Sequence, residues 1–233
     1  MAVSFDANGT LFEPRDLGGQ YREVLARHGI EANAAELERL VSLVWTEMSC
    51  AVPFGTDRFA SHPGGARGWW SDFLDRLLAH LDRGSADPFA AAELFDRFAK
   101  GSAWRVFPEV PAVLARIEEL GLEIAVVSNF DERLPRIGEE LGLGAAVGTW
   151  IYSQQVGVEK PHPAIFRAAC DTLGVSPRQA VHVGDRQRED VEGAVAVGMG
   201  ALLLERRGGS GGNALHSLAD LVPWIEARLW EGS

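Results

Sequence analysis

The chain has 233 residues, 46% hydrophobic and 24% charged, which suits a folded protein with a sizeable core and excludes a disordered one. Its 33 acidic against 22 basic residues leave a net charge of −11, which argues against nucleic acid or an anionic membrane as partner, since both demand a cationic face. A phosphorylated ligand stays open, because a bound cation reverses the local sign.

Two cysteines, Cys50 and Cys170, are too few for a disulfide framework. Both sit in helix-like apolar surroundings, so they are expected to be reduced packing residues of a cytoplasmic protein. No apolar run approaches the length of a membrane span, and Met1 is followed at once by a strand-like segment, so neither a span nor a signal segment is expected.

In chain order, Ala2 to Phe5 is a short strand candidate ending at Asp6. From about Pro14 to Trp104 the periodicity is helical. One helix spans Leu17 to His28 and stops at Gly29. Leu37, Leu40, Val41, Val44, Trp45 and Met48 form an apolar stripe, and Trp70, Phe73, Leu74, Leu77, Leu78 and Leu81 repeat its spacing. A further helix opens on Asp87-Pro88 as N-cap and first residue and carries Phe89, Leu94, Phe95 and Phe98. A loop from Ala51 to Gly68, rich in Gly, Pro and His, interrupts the block.

After Pro108 strands and helices alternate. A helix through Val110 and Leu120 ends at Gly121, and Leu122 to Val127 is an apolar run apart from Glu123, as in a strand buried on both faces. Then come a helix over Glu132–Leu141, a strand around Trp150–Ser153, a helix over Pro163–Leu173 and a strand over Ala180–Val183. A helix over Asp190–Val197, a strand over Ala201–Leu204, a glycine-rich loop over Arg206–Asn213 and a last helix over Ala214–Leu229 complete the chain. The expected fold is α/β: a Rossmann-like, doubly wound parallel sheet made by residues 1–13 and 105–233, with an all-helical cap domain over 14–104 inserted after the first strand.

Open parallel sheets bind ligands beyond the carboxyl ends of their strands. Asp6 and Asn8 follow the first strand, Ser128-Asn129 the second and Asp185 the fourth, with Asp190 five residues on. Lys160 lies one loop beyond the third. On this topology Asp6, Ser128, Lys160, Asp185 and Asp190 meet on one rim.

The run Phe5-Asp6-Ala7-Asn8-Gly9-Thr10-Leu11-Phe12 resembles the first motif of the haloacid dehalogenase superfamily of hydrolases. Val127-Ser128-Asn129 resembles the second motif, Glu159-Lys160-Pro161-His162-Pro163 the third, and His182-Val183-Gly184-Asp185 through Asp190 the fourth. The helical insert matches that superfamily's type I cap, and the Ser128-Asn129-Phe130-Asp131 run with the Trp69-Trp70 pair is similar to its domain-containing protein 3 branch.

The resemblance implies a phosphohydrolase acting on a small phosphorylated metabolite, with Asp6 as nucleophile and an aspartyl-phosphate intermediate. It implies Mg2+ held by Asp6, the Asn8 carbonyl, Asp185 and Asp190. Thr10, Ser128, Asn129 and Lys160 would contact the phosphoryl group, and Lys160 would neutralise charge there. The implied protein is a monomer or homodimer with a small-molecule substrate.

Asn8 departs from the pattern, in which an Asp gives and takes the proton of the leaving oxygen; an amide cannot do this. Two other readings follow from that departure. One is a 2-haloacid dehalogenase acting on a halogenated acid, since halide leaves without a proton. The other is a non-enzymatic binding protein on the same fold. In the cap, Arg58 and Arg67 read as solvated cations, Trp69 and Trp70 as cap core, and His162 as a first-turn helix residue.

Overall fold

The computed structural model describes residues 1–84, 87–206, 208 and 214–231. Most of the glycine-rich loop read over 206–213 therefore lies outside the described residues. The core is a five-stranded, all-parallel sheet in the order β5-β4-β1-β6-β7, formed by β1 (Ala2–Phe5), β4 (Glu123–Ser128), β5 (Thr149–Tyr152), β6 (Ala180–Gly184) and β7 (Gly200–Leu203). Helices α5 (Val110–Glu119), α6 (Leu134–Glu140), α8 (Pro163–Leu173), α9 (Gly193–Ala196) and α10 (Leu221–Glu231) belong to this half of the molecule. With both faces of the sheet covered, strands β1 and β6 are buried at every position, and they are apolar apart from Ser4 and His182.

Between β1 and α5 the chain builds the cap from α1 (Leu17–Arg27), α2 (Ala34–Cys50), α3 (Gly65–Ala79) and α4 (Pro88–Phe98). Phe73, Leu74, Leu77 and Leu78 of the α3 stripe and Leu37, Leu40 and Val44 of the α2 stripe are buried together in one core. Asp87 caps α4 by accepting from the Phe89 amide, with Pro88 in the first turn.

A two-stranded antiparallel ribbon joins cap to core: β2 (Phe12–Pro14) pairs with β3 (Trp104–Val106). Its strands are three residues each, too short to show a periodicity, and the sequence reading contains no strand there. A four-residue α7 (Ser153–Val156) follows β5.

Several local expectations are corrected. Cys50 is exposed at the last turn of α2, whose buried stripe runs along another face; Cys170 is buried. Phe89 is 75% exposed, because α4 turns Ala90, Ala91, Leu94, Phe95 and Phe98 inward instead. The helix expected over Asp190–Val197 begins as a π-helical segment, Gln187–Glu192, and α10 begins only at Leu221. Among the described residues, no helix is long and apolar enough to cross a membrane.

Candidate active site

Strand β1 lies at the centre of the sheet, so the residue just past its end is flanked on both sides. Asp6 donates its amide to Val183 O of β6 (2.9 Å) and turns its carboxylate toward β4. There Ser128 Oγ donates to Asp6 Oδ1 at 3.0 Å, and Lys160 Nζ donates to the same oxygen at 2.7 Å. Asp6 Oδ2 has no hydrogen-bond partner among the described residues. One oxygen is thus pinned and the other is left available.

Lys160 is 4% exposed and also donates to Val127 O (2.9 Å) and Asp190 Oδ1 (2.6 Å). Burial works against its charge, but Asp190 and Asp6 outweigh it and hold the ammonium above its ordinary range. Asn129 spends its side-chain amide on the backbone of Lys160: its Oδ1 accepts from Lys160 N (2.6 Å) and its Nδ2 donates to Lys160 O (3.1 Å). Asn129 therefore fixes the lysine's position.

Asp190, 1% exposed, also accepts from the Arg186 amide (2.9 Å). Burial raises its carboxyl, yet Lys160 and His182 together keep it below the usual carboxylate range. Gly184 permits this approach, since a Cβ there would overlap the Asp190 carboxyl.

His182 is fully buried, and burial lowers its pKa, so the ring is neutral. Asp190 only accepts, so His182 Nε2 must donate to Asp190 Oδ1 (3.2 Å), and Nδ1 must then accept from Ser4 Oγ (2.9 Å). The chain Ser4–His182–Asp190–Lys160–Asp6 runs from the sheet interior to the rim. Sequence reasoning placed His182 in a motif but missed its partner. The signal was available, for Ser4 and His182 stand in register on paired strands.

Asp185 faces the free side of Asp6. Burial, then the Asp6 charge, push its carboxyl up to about 7, and its Oδ1 is buried without a hydrogen-bond partner. Ligand oxygens of Asp6, Asp185 and Asp190 lie within 4.8 Å of one another. Carboxylate oxygens crowded together with one unpartnered are the donor set of a hard divalent cation, so these residues fit such an ion. Gly9, at φ +93°, lets the Asp185 carboxyl sit where a side chain would clash.

Asn8 is exposed, and its side chain has no hydrogen-bond partner among the described residues. Thr10 is fully buried with Oγ1 unpartnered, and it does not line the cavity above the carboxylates. Thr10 is thus the one candidate residue that the fold keeps apart from the others. Arg206, not singled out in the sequence, donates to Gly9 O (3.1 Å) and Thr10 O (2.7 Å), pairs with Glu109, and stacks 3.6 Å from the Phe107 ring. It ties the loop after β1 to the segment after β7.

The cavity between rim and cap holds about 520 Å³. Arg58, expected to be solvated, is 6% exposed. Its Nε (2.7 Å), Nη2 (2.8 Å) and amide (3.0 Å) donate to Glu159, its Nη1 donates to Ser49 Oγ (2.9 Å), and its face lies 4.5 Å from Trp45. A fork that finds a carboxylate and an aromatic face can be buried. Arg67 is exposed and paired with Asp96, as expected of a solvated cation. Trp69 is 5% exposed in the cap core, whereas Trp70 lines the cavity and donates Nε1 to Asp131 Oδ2 (2.9 Å). His162 is the N-cap of α8 and accepts from the Ala164 amide.

A carboxylate at the end of the central strand, a buried lysine and two further carboxylates share one rim under a helical cap. The chain belongs to the haloacid dehalogenase-like hydrolase family, whose model matches residues 1–198. Within it the chain falls in the branch of haloacid dehalogenase-like hydrolase domain-containing protein 3. It is 31% identical to the Bos taurus protein of that name, over 87% of this chain and 80% of the relative. It is also 30% identical to a glyceraldehyde 3-phosphate phosphatase of Methanopyrus kandleri, over 88% of this chain and 84% of that one. An L-2-haloacid dehalogenase of Xanthobacter autotrophicus has the same fold, with TM-score 0.69 and 18% identity, covering 97% of this chain and 98% of that one. Phosphatase and dehalogenase chemistry both occur on this fold, so the site residues must decide between them.

Proposed function

We propose that the protein is a magnesium-dependent phosphohydrolase working through an aspartyl-phosphate on Asp6, with a turnover step limited by Asn8. The observation that carries this reading is the unpartnered, buried Asp185 oxygen beside an Asp6 carboxylate pinned through Oδ1 only. A dehalogenase needs no such second carboxylate.

Asp6, Asp185, Asp190 and the Asn8 carbonyl would hold Mg2+, which when bound offsets the repulsion between the carboxylates and an incoming phosphoryl group. Ser128 and Lys160 orient Asp6, so that Oδ2 meets phosphorus. An O–P bond forms there as the P–O bond to the leaving group breaks, and the leaving oxygen departs with the electron pair. Lys160 balances the charge that grows on the transferred group. Water then releases phosphate and restores Asp6. An Asp at position 8 would protonate the leaving oxygen and then deprotonate that water; Asn8 does neither. Leaving groups stable as anions are therefore favoured, and the second step is slow.

General acid–base catalysis contributes typically about 10²- to 10⁴-fold, or roughly 3–5.5 kcal/mol of barrier. With acetyl phosphate and magnesium, the expected result is a burst that labels Asp6, followed by slow phosphate release that Asn8→Asp accelerates within that range. Absence of both labelling and release, with and without magnesium, rejects the proposal. Asn8 is also compatible with dehalogenation, since halide needs no proton. Metal-independent chloride release from 2-chloropropionate would assign the site to that reaction.

A further inference from the structure

The cavity over the carboxylates points to one class of leaving group. Its size lies within the roughly 300–1,000 Å³ of small-molecule sites, ample for far more than a phosphate. The cap's contribution to the wall is mainly aromatic and aliphatic, with Trp45, Trp70, Phe95 and Phe98 prominent, and Trp104 and Phe130 add to it. Ser42, Thr46, Ser49 and Thr56 stand beside them.

Arg58 is the one charged side chain that the described cap residues bring to this wall, and its donors are spent on Glu159 and Ser49. Arg133, a core cation that also lines the cavity, is equally committed. Its Nε (2.7 Å) and Nη2 (2.6 Å) donate to Asp131, its Nη1 donates to Phe95 O (3.1 Å), and its face lies 3.9 Å from the Phe95 ring. Both pairs are nearly dry, so neither guanidinium can turn to a second anionic group without stranding a buried carboxylate. Arg186 and Arg188 also line the cavity, and their guanidinium groups have no partner among the described residues; they stand on the core side, in the segment that follows Asp185, and not on the cap.

Among the polar groups of the wall that stand open, one lies deep beside the cap aromatics. Tyr21 is 4% exposed beside Phe98 (ring centroids 5.7 Å apart), and its hydroxyl has no hydrogen-bond partner among the described residues. Burial pushes its phenol up, with Arg133 opposing, so it is a protonated donor. An orphaned hydroxyl in an apolar wall is satisfied when a ligand brings an acceptor to it.

We infer that the cap recess takes an uncharged aromatic body with a hydrogen-bond acceptor for Tyr21, so that the substrate is an aryl phosphate whose cap-facing part carries no second anionic group. This rests on the phosphohydrolase reading and agrees with Asn8, because an aryloxide leaves with little need of a proton donor.

The test is a fluorescence titration of the tryptophans with phenyl, 1-naphthyl and 4-carboxyphenyl phosphate, with magnesium, alongside phosphate release. We expect 1-naphthyl phosphate to bind at least tenfold tighter than 4-carboxyphenyl phosphate, with kcat/KM in the same order. Replacing Tyr21 by Phe should narrow, by threefold or more, the preference for 4-acetyl-1-naphthyl over 1-naphthyl phosphate. Equal or tighter binding of the carboxylated probe overturns the inference. So does a Tyr21→Phe protein, folded by circular dichroism, whose preference is unaltered. Because the titration needs no turnover, the recess is judged even if acetyl phosphate is not hydrolysed, a result that would count against the reaction alone.

Discussion

The carboxylate of Glu159, the residue immediately before Lys160, accepts both Nε and Nη2 of Arg58 from the cap, at 2.7 and 2.8 Å, with side chains only 10% and 5% exposed. The pair fastens the cap to the loop that carries the site's lysine. A second tie, Trp70 Nε1 to Asp131 Oδ2 at 2.9 Å, lies under α3.

Removing one member of a buried pair leaves the other charge uncompensated, at a cost of about 3–5 kcal/mol. Arg58→Met should therefore destabilise the protein by that order in urea unfolding. Arg67→Ala, which breaks an exposed pair with Asp96, should cost less than about 1 kcal/mol. Similar losses for both variants would mean that the Arg58 pair is not held as described.

Gly184→Ala tests the approach of Asp190 to β6. The added methyl would overlap the Asp190 carboxyl, which must shift away from Lys160 and His182. Overpacking of this kind costs roughly 1–3 kcal/mol. Thermal unfolding should show that loss, and phosphate release should fall with it. A variant with full stability and full release would show that the contact tolerates a methyl.

The hydrogen-bond directions fix the tautomer of His182. Nitrogen NMR of the imidazole should find the proton on Nε2 and a neutral ring at pH 7. Ser4→Ala removes the donor to Nδ1 and strands a buried acceptor, a loss of about 1–3 kcal/mol by chemical denaturation. A resonance pattern with the proton on Nδ1 contradicts this chain of donors.

His28 links α1 to α4: Nε2 meets Glu93 at 2.9 Å and Nδ1 meets Asp87 at 3.3 Å, and Glu93 first, after which burial opposes and Asp87 adds, raises the imidazole pKa. A raised folded-state pKa adds stability that is complete below the unfolded value near 6.5 and fades as pH climbs through the folded value. His28→Gln should thus lower the melting temperature more at pH 5.5 than at pH 9. A gap that is constant, or wider at pH 9, reverses the sign and removes the link.

Much of this architecture is readable from residue order. The largely apolar runs at Ala2–Phe5 and Leu122–Val127, broken only by Ser4 and Glu123, mark strands covered on both faces, and a parallel sheet then obliges Asp6, Ser128 and Asp185 to share an edge. The pairing of Arg58 with Glu159 could not be read, because the partners are 101 residues apart and a loop arginine resembles any solvated one until its carboxylate is located. Phe89 and Cys50 escape for the opposite reason. Each sits at the end of a helix, where a slight change in rotation exchanges inside for outside. The Asn129 side chain looked suited to a ligand, but its bonds to the Lys160 backbone depend on the path of a loop that periodicity does not describe.

The placement of β1 also bears on how the molecule is made. The strand that leads to Asp6 is made before both of its neighbours, since β4 and β6 begin only at residues 123 and 180. Until β6 is synthesised, the segment destined for the middle of the sheet keeps an open side, and the carboxylate beyond it lacks the amide contact to Val183. A segment made before both of its neighbours is thus secured late, and its closing tie, Arg206 to Gly9 and Thr10, is made later still, by a residue that follows β7.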